Sequence, residues 1–279
     1  MTNRSHPVVD RQELDEAVKF IKAKTDQKPE IGLILGSGLG PFADEVEKPT
    51  IIAAGEIPYY PASTVSGHAG RWVVGKLGDK VVLVMQGRVH GYEGYPFHRL
   101  AFPVHIMAKL GVGRLIITNA AGGLNRHFKP GDLMIISDHL NLMFDNPLIG
   151  VNVDDYGPRF PDMEEPYNRE LILIAEKVGA DLGLPLRKGV LGALKGPTYE
   201  SAAEVRMMQW AGVDAGTMST IPEVITAAFY GIRVLGISCI TNAGTGMTGK
   251  KLDHTEVTEV ANLVKERFSR LIREIVRRI

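Results

Sequence analysis

Arg88 and His90 stand two residues apart just beyond an apolar run, in VVLVMQGRVHGYEGY (81–95). On an extended chain that spacing points both side chains to one side. Arginine offers a planar fork of donors suited to phosphate. Histidine can donate one hydrogen bond or carry charge near neutral pH. The pair could grip an oxyanion, or it could be two solvated groups at an exposed strand end.

Two further stretches offer anion chemistry. In LILGSGLGPFADE, a strand meets Gly36-Ser37-Gly38-Leu39-Gly40, and a helix is expected to begin near Pro41. Glycines let backbone N–H groups approach an anion, and a helix start adds positive potential. A dinucleotide loop is the rival, with Glu56 about 20 residues on. However, Pro41 occupies the third glycine position of that fingerprint, and a plain tight turn also fits. In DAGTMSTIPEV, Pro222 suits a first helical turn and Thr220 with Glu223 has capping-box spacing. Ser219 then precedes a helix with its hydroxyl available, either as an anion ligand or as part of ordinary capping.

Glu200, in KGPTYES, and Asn242, in CITNAG, supply a carboxylate and a carboxamide. Together these can read a heterocycle bearing donors and acceptors, although an Asn before a small residue is also a common turn element. The eight histidines lack ligand-like spacing and Cys239 is solitary, so no metal is expected. No G-x-S-x-G elbow supports a serine hydrolase.

These residues need elements to hold them. Periodicity predicts helices over 10–24, 97–110 (with Pro103 at a kink or near its start), 168–182 and 201–212. A last helix is expected from about Asp253, capped by Asp253 with Glu256, with Val257, Val260, Val264, Phe268, Leu271 and Ile275 on one face. Strands are expected at 31–35, at 71–78 with 80–86 around a Gly78-Asp79 turn, and at 114–123, 132–140 and 234–244, with 188–200 reading as a strand that runs into a loop. Strands alternating with helices imply an α/β fold with both sheet faces covered. Four strand tips then converge: Ser37; Arg88 with His90; Asn119 with Ala120; and Thr241 with Asn242. In open α/β sheets ligands bind at the carboxyl ends of strands. The irregular segment 141–168 is long enough to be functional or to touch a partner.

The 279 residues carry zero formal net charge, so nothing suggests a nucleic-acid surface. A lone cysteine, no apolar leader and no run of roughly 20 apolar residues point to the cytoplasm, without a membrane span.

Taken in order, LGSGLG, SGHAGRWVVG, MQGRVHGYEGY, ITNAAGGLN, KGPTYES, MSTIPEV and CITN resemble the trimeric, low-molecular-mass purine nucleoside phosphorylases over nearly the whole chain. The resemblance implies one domain, 1–279, built as a mixed twisted β-sheet flanked by helices, the nucleoside phosphorylase/hydrolase-like α/β fold. It implies phosphorolysis of purine nucleosides, favouring 6-oxopurines, to free base and α-ribose 1-phosphate in purine salvage. Phosphate would be a co-substrate and no cofactor would be needed. The family pattern places Ser37, His68, Arg88, His90, the Ala120 amide and Ser219 on phosphate, and Tyr199, Glu200 and Asn242 on the purine. Tyr92, Met218 and His254 fall at the ribose, and Phe160 enters the neighbouring subunit's site in a homotrimer. Asn242, Glu200 and His90 would carry the catalysis. Methylthioadenosine phosphorylases share the fold, but resemble one another in an Asp where Asn242 stands and in lacking a match to His254. Thr217 stands at a glycine position of many relatives, and the stretch after Asn242 departs from the family. A dehydrogenase and a non-catalytic nucleoside binder remain the alternative readings.

Overall fold

The computed structural model describes residues 6–64, 69–249 and 254–279, with the backbone alone at 254–258. His68 and the Asp253–Glu256 cap therefore lie outside what is described, as does the side chain of His254.

Helix α1 (Arg11–Lys24) starts where Asp10 accepts the N–H groups of Gln12 and Glu13 at 2.9 and 3.1 Å. It buries Leu14, Ala17, Val18 and Ile21, the face its spacing predicts. Strand β1 (Ile31–Leu35) is buried at every residue. The expected helix at Pro41 is instead a six-residue 3-10 turn, Gly40–Glu45. Phe42 and Ala43 bury at once and Val46 leads into β2 (Glu47–Ala53), so too few residues remain for a helix. Glu56 pairs with Lys24 at 3.3 Å. Without a helix at the glycine loop, and with that carboxylate engaged at the surface, the dinucleotide fingerprint has no structural support.

Strands β3 (Arg71–Leu77) and β4 (Lys80–Gln86) form the expected hairpin. The predicted 97–110 helix divides at Ala101 into α2 (Phe97–Leu100) and α3 (Phe102–Leu110), because Pro103 sits in the first turn of α3. Strand β5 (Arg114–Gly123) spans the expected residues, but Asn119 and Ala120 lie within it rather than at its tip. It runs on because β9 continues beside it and β8 joins at Gly122 and Gly123. The remaining elements are β6 (Leu133–Asn141), α4 (Arg169–Asp181), β7 (Leu186–Ala193), α5 (Ala202–Trp210), β8 (Ala215–Thr217), α6 (Ile221–Phe229), β9 (Arg233–Ala243) and α7 (His254–Arg278).

Among the described residues the strands join in one nine-stranded mixed sheet, ordered β2-β3-β4-β1-β5-β8-β7-β6-β9. Because β9 also pairs with β5, the strands from β5 to β9 close on themselves as a small barrel. The β5–β9 register shifts between Ala121 and Gly122, opposite Asn242. Such bulges re-aim side chains and cluster beside active sites. Helices α1, α3 and α6 pack together on one face, and α4 with α7 on the other. Cys239 lies inside the core, where burial pushes its thiol up to about 12, so it is an inert packing residue. Among the described residues no helix is long and apolar enough to cross a membrane.

Candidate functional site

The glycine loop after β1 is shaped by packing. A Cβ on Gly36 would lie 2.6 Å from the Asn119 Cα, so only glycine lets β1 end against β5. Its N–H donates to the Thr118 hydroxyl at 3.1 Å, which fixes where Ser37 begins.

Past the end of β4 the chain dives inward, and the side chain of Arg88 is 2% exposed. Nη1 reaches the Ser219 hydroxyl at 3.4 Å, the Thr220 hydroxyl at 3.2 Å and Glu223 Oε1 at 3.5 Å. Nη2 donates to the carbonyl oxygens of Ile34 and Thr118. The exposed-strand-end reading of Arg88 therefore fails. Burial lowers the Arg88 pKa, and Glu223 opposes that. Burial likewise raises Glu223, against the pull of Arg88.

His90 sits at the head of a 3-10 turn, its backbone N–H and Nδ1 at 2.7 and 3.3 Å from Glu93 Oε1. Burial pushes Glu93 up, but bonds from Thr64 and His90 outweigh it and hold the carboxyl below its usual range. The ring of Tyr92 stacks on His90 at 4.8 Å. Burial raises that phenol to about 12, keeping it neutral.

Strand β8 connects this cluster with Glu200. At its middle residue, a Cβ on Gly216 would come within 3.5 Å of Glu200 Oε1. Next, the Thr217 hydroxyl donates to the Ala120 carbonyl at 3.2 Å and lies 3.4 Å from the Ser219 hydroxyl. From Gly216 to Ser219 the chain spans at most about 10 Å, near the length of a nucleoside. Burial raises the Glu200 pKa, its own backbone N–H opposes, and Glu204 adds to the rise.

Asn242 lies near the end of β9, just after the bulge at Thr241. The Thr241 hydroxyl donates to its Oδ1 at 2.9 Å, and its Nδ2 donates to the Ala243 carbonyl at 3.1 Å. These bonds fix the amide orientation and leave Nδ2 a second N–H. A Cβ on Gly122 would lie 3.2 Å from that nitrogen, so the glycine makes room for the amide.

All of this surrounds one cavity of about 360 Å³, a size that suits a small ligand. Of the residues expected on phosphate, Ser37, Arg88, His90, Ala120 and Ser219 line it. So do Tyr199, Glu200 and Asn242 from the base set, and Tyr92 and Met218 from the ribose set. Phe160 does not; it is 86% exposed on the segment between β6 and α4. Among the described residues, no cluster of three or more His, Cys, Asp or Glu is placed to hold a metal ion.

Two sequence expectations fail here. The Ser219 hydroxyl is engaged by Arg88, Thr217 and Thr220. The Thr220 side chain does not cap α6, because it accepts from Asn119 Nδ2 at 2.9 Å instead. Three polar residues were missed as parts of the site. Glu93 could have been suspected from its i+3 spacing to His90. Glu223 gave no cue beyond capping, and Asn119 was noted only as a strand tip.

The Phosphorylase superfamily profile matches residues 30–277. The chain is 52% identical to purine nucleoside phosphorylase 1 of Bacillus subtilis over 95% of this chain and 98% of that one. Two solved Schistosoma mansoni structures superpose with a TM-score of 0.93. One is isoform 2 of purine nucleoside phosphorylase in complex with cytosine and ribose-1-phosphate, 38% identical and covering 98% of both chains. The other is purine nucleoside phosphorylase in complex with inosine, 36% identical and covering 99% of both.

Proposed function

The chain belongs to the phosphorylase superfamily and is an enzyme of its purine nucleoside phosphorylase branch; on that premise we propose that it phosphorolyses 6-oxopurine nucleosides in purine salvage, with the cavity residues in the roles that follow. Phosphate is held by Ser37, Arg88, His90, the Ala120 amide and Ser219, with His68, outside the described residues, assigned there by resemblance. A phosphate oxygen attacks C1′ while the C1′–N9 bond breaks and its electron pair passes to the purine. The proton lost by hydrogen phosphate passes to the departing purine, so the products are α-ribose 1-phosphate and free base, and no cofactor enters the balance.

Positive charge develops on the ribose, beside the bound anion. Negative charge develops on the purine, where Asn242 donates to N7 and Glu200 holds N1–H. Preorganised groups aimed at developing charge are usually the largest catalytic term. His90 completes this set through the phosphate, its ring held by Glu93 at 3.3 Å. Tyr92 and Met218 flank the sugar, with His254 at its far end, and Tyr199 borders the base. The one N–H of Asn242 Nδ2 that is not spent on the Ala243 carbonyl is shared between N7 and O6, which favours an acceptor at O6; an adenine amino group would set donor against donor.

The observation that carries the reading is that Arg88 with Ser219 and Glu200 with Asn242 open into one cavity of about 360 Å³. The relatives are named purine nucleoside phosphorylases, which does not favour the methylthioadenosine alternative. The test is release of hypoxanthine from inosine with and without phosphate. The proposal expects release with phosphate only. Release without it indicates hydrolysis, and no release indicates a binder; either result overturns the reading.

The working assembly is a homotrimer of the cytoplasm, each subunit lending Phe160 to its neighbour's ribose site. Supporting this, the segment carrying Phe160, at 86% exposure, also exposes Phe144 at 88% and Ile149 at 59%.

A further inference from the structure

Thr220 has φ 79° and ψ −49°. A bond of 2.9 Å from the Ile221 N–H to the Ser219 carbonyl closes a three-residue γ-turn over it. That turn is rare and strained, and a β-branched residue at positive φ is an outlier. Among the described residues the other non-glycine positions with positive φ are Lys48, Tyr59 and Phe144, none of them β-branched. Thr220, in contrast, is completely buried. Such strain persists only where the surroundings over-determine it, and it gathers at functional sites.

The surroundings here are specific. The Thr220 hydroxyl accepts from Asn119 Nδ2 at 2.9 Å and from Arg88 Nη1 at 3.2 Å. It also lies 3.2 Å from the Ser219 hydroxyl. Asn119 belongs to β5 and Arg88 follows β4, so one hydroxyl ties the turn to two other elements. Ser219, the first residue of the turn, lines the cavity next to Arg88.

We propose that Thr220 is a positioning residue: its hydroxyl, pinned by Asn119 and Arg88, holds the strained turn that presents Ser219 to phosphate. This deepens the phosphorolysis reading and rests on it. Thr220 never touches substrate in this scheme. Its contribution is to keep the Ser219 hydroxyl and the Arg88 fork in mutual register, so that the anion meets both without rearrangement.

The test compares Thr220→Val, which keeps the shape and removes the hydroxyl, with Thr220→Ser, which keeps the hydroxyl. For each, phosphate binding is measured by calorimetry, the KM for phosphate and for inosine by hypoxanthine release, and stability by thermal unfolding. The expectation is a rise of about tenfold in phosphate Kd and KM for Thr220→Val, matching the loss of hydrogen bonds to charged or buried donors. The inosine KM should move less than about twofold, and Thr220→Ser should stay within about twofold of wild type in both. Asn119→Ala cuts the same tie from the other side and serves if Thr220→Val does not fold. It should produce the same phosphate-selective loss, and the double variant should add nothing further. Phosphate binding unchanged in both single variants would overturn the proposal. So would phosphate and inosine KM rising together with loss of stability, which marks a merely structural residue. If wild-type protein released hypoxanthine without phosphate, the reading of the reaction would fail instead, a result visible before any variant is made.

Discussion

Replacing Arg88 by methionine removes a cation whose partners are almost wholly protein. Its Nη1 lies 3.5 Å from Glu223 Oε1, with side-chain exposures of 2% and 4%. Removing one partner of such a pair costs about 3–5 kcal/mol, because the other charge stays buried without compensation. For a chain of this size that is on the order of 10 °C in the unfolding midpoint. Phosphate binding should also weaken by about 1.5–3 kcal/mol, the range for hydrogen bonds to charged groups. The two losses separate by pH. Burial already raises Glu223, and Arg88 is the charge that holds it down; without Arg88 the folded-state pKa climbs further. A carboxyl with a raised folded pKa carries no penalty below its ordinary value, where it is protonated in both states. The penalty accrues as pH rises from that value through the folded pKa. Arg88→Met should therefore be closer to wild-type stability near pH 5 than at pH 8 when unfolded in urea. Adding Glu223→Gln should restore stability at pH 8 but not phosphate affinity. A midpoint deficit equal at both pH values and unrelieved by Glu223→Gln would refute the argument that a stranded carboxylate causes it.

Asn242→Asp should lower inosine turnover by about tenfold or more, because it sets a carboxylate oxygen against the Ala243 carbonyl now 3.1 Å from Nδ2; parallel assays with adenosine should show its relative rate rise, and an unchanged ratio refutes the assignment. Glu200 must be ionised to accept N1–H, and burial raises its pKa; kcat/KM for inosine should fall on the acid side from above the usual glutamate range, and Glu200→Gln should remove that limb from the pH profile. Gly122→Ala places a methyl 3.2 Å from Asn242 Nδ2; the KM for inosine should rise several-fold while phosphate binding by calorimetry stays unchanged. Phe160→Ala should raise the inosine KM without altering folding, since the ring is 86% exposed within its own chain; loss of stability instead would place it in the monomer's packing.

Much of the fold was legible because its elements are locally consistent. The alternation of buried runs with amphipathic helices marked seven of the nine described strands, those whose pattern is apolar; β2, EKPTIIA, is mostly exposed and contains Pro49, and β8 is the three residues AGT. Neither has a period to read, and both exist because a neighbouring strand supplies hydrogen bonds. The glycine loop shows the opposite error. Its residues favour a turn, but whether a helix follows depends on Phe42 and Ala43 finding the core at once.

The sequence by itself determined which groups were available: a guanidinium, an imidazole, hydroxyls, a carboxylate and a carboxamide at the ends of buried strands, in an order specific enough to mark a family. Tertiary structure alone decided what each one touches. Arg88 meets Ser219 across 131 residues of chain, and Asn119 meets Thr220 across 101. Glu223, spaced like a cap, became the counter-charge of Arg88, and Thr220 gave up capping for a strained turn. The physical reason is that periodicity and capping are local rules, whereas the cost of a buried charge or an unpaired hydroxyl is settled by whichever partner the packed sheet brings within about 3 Å.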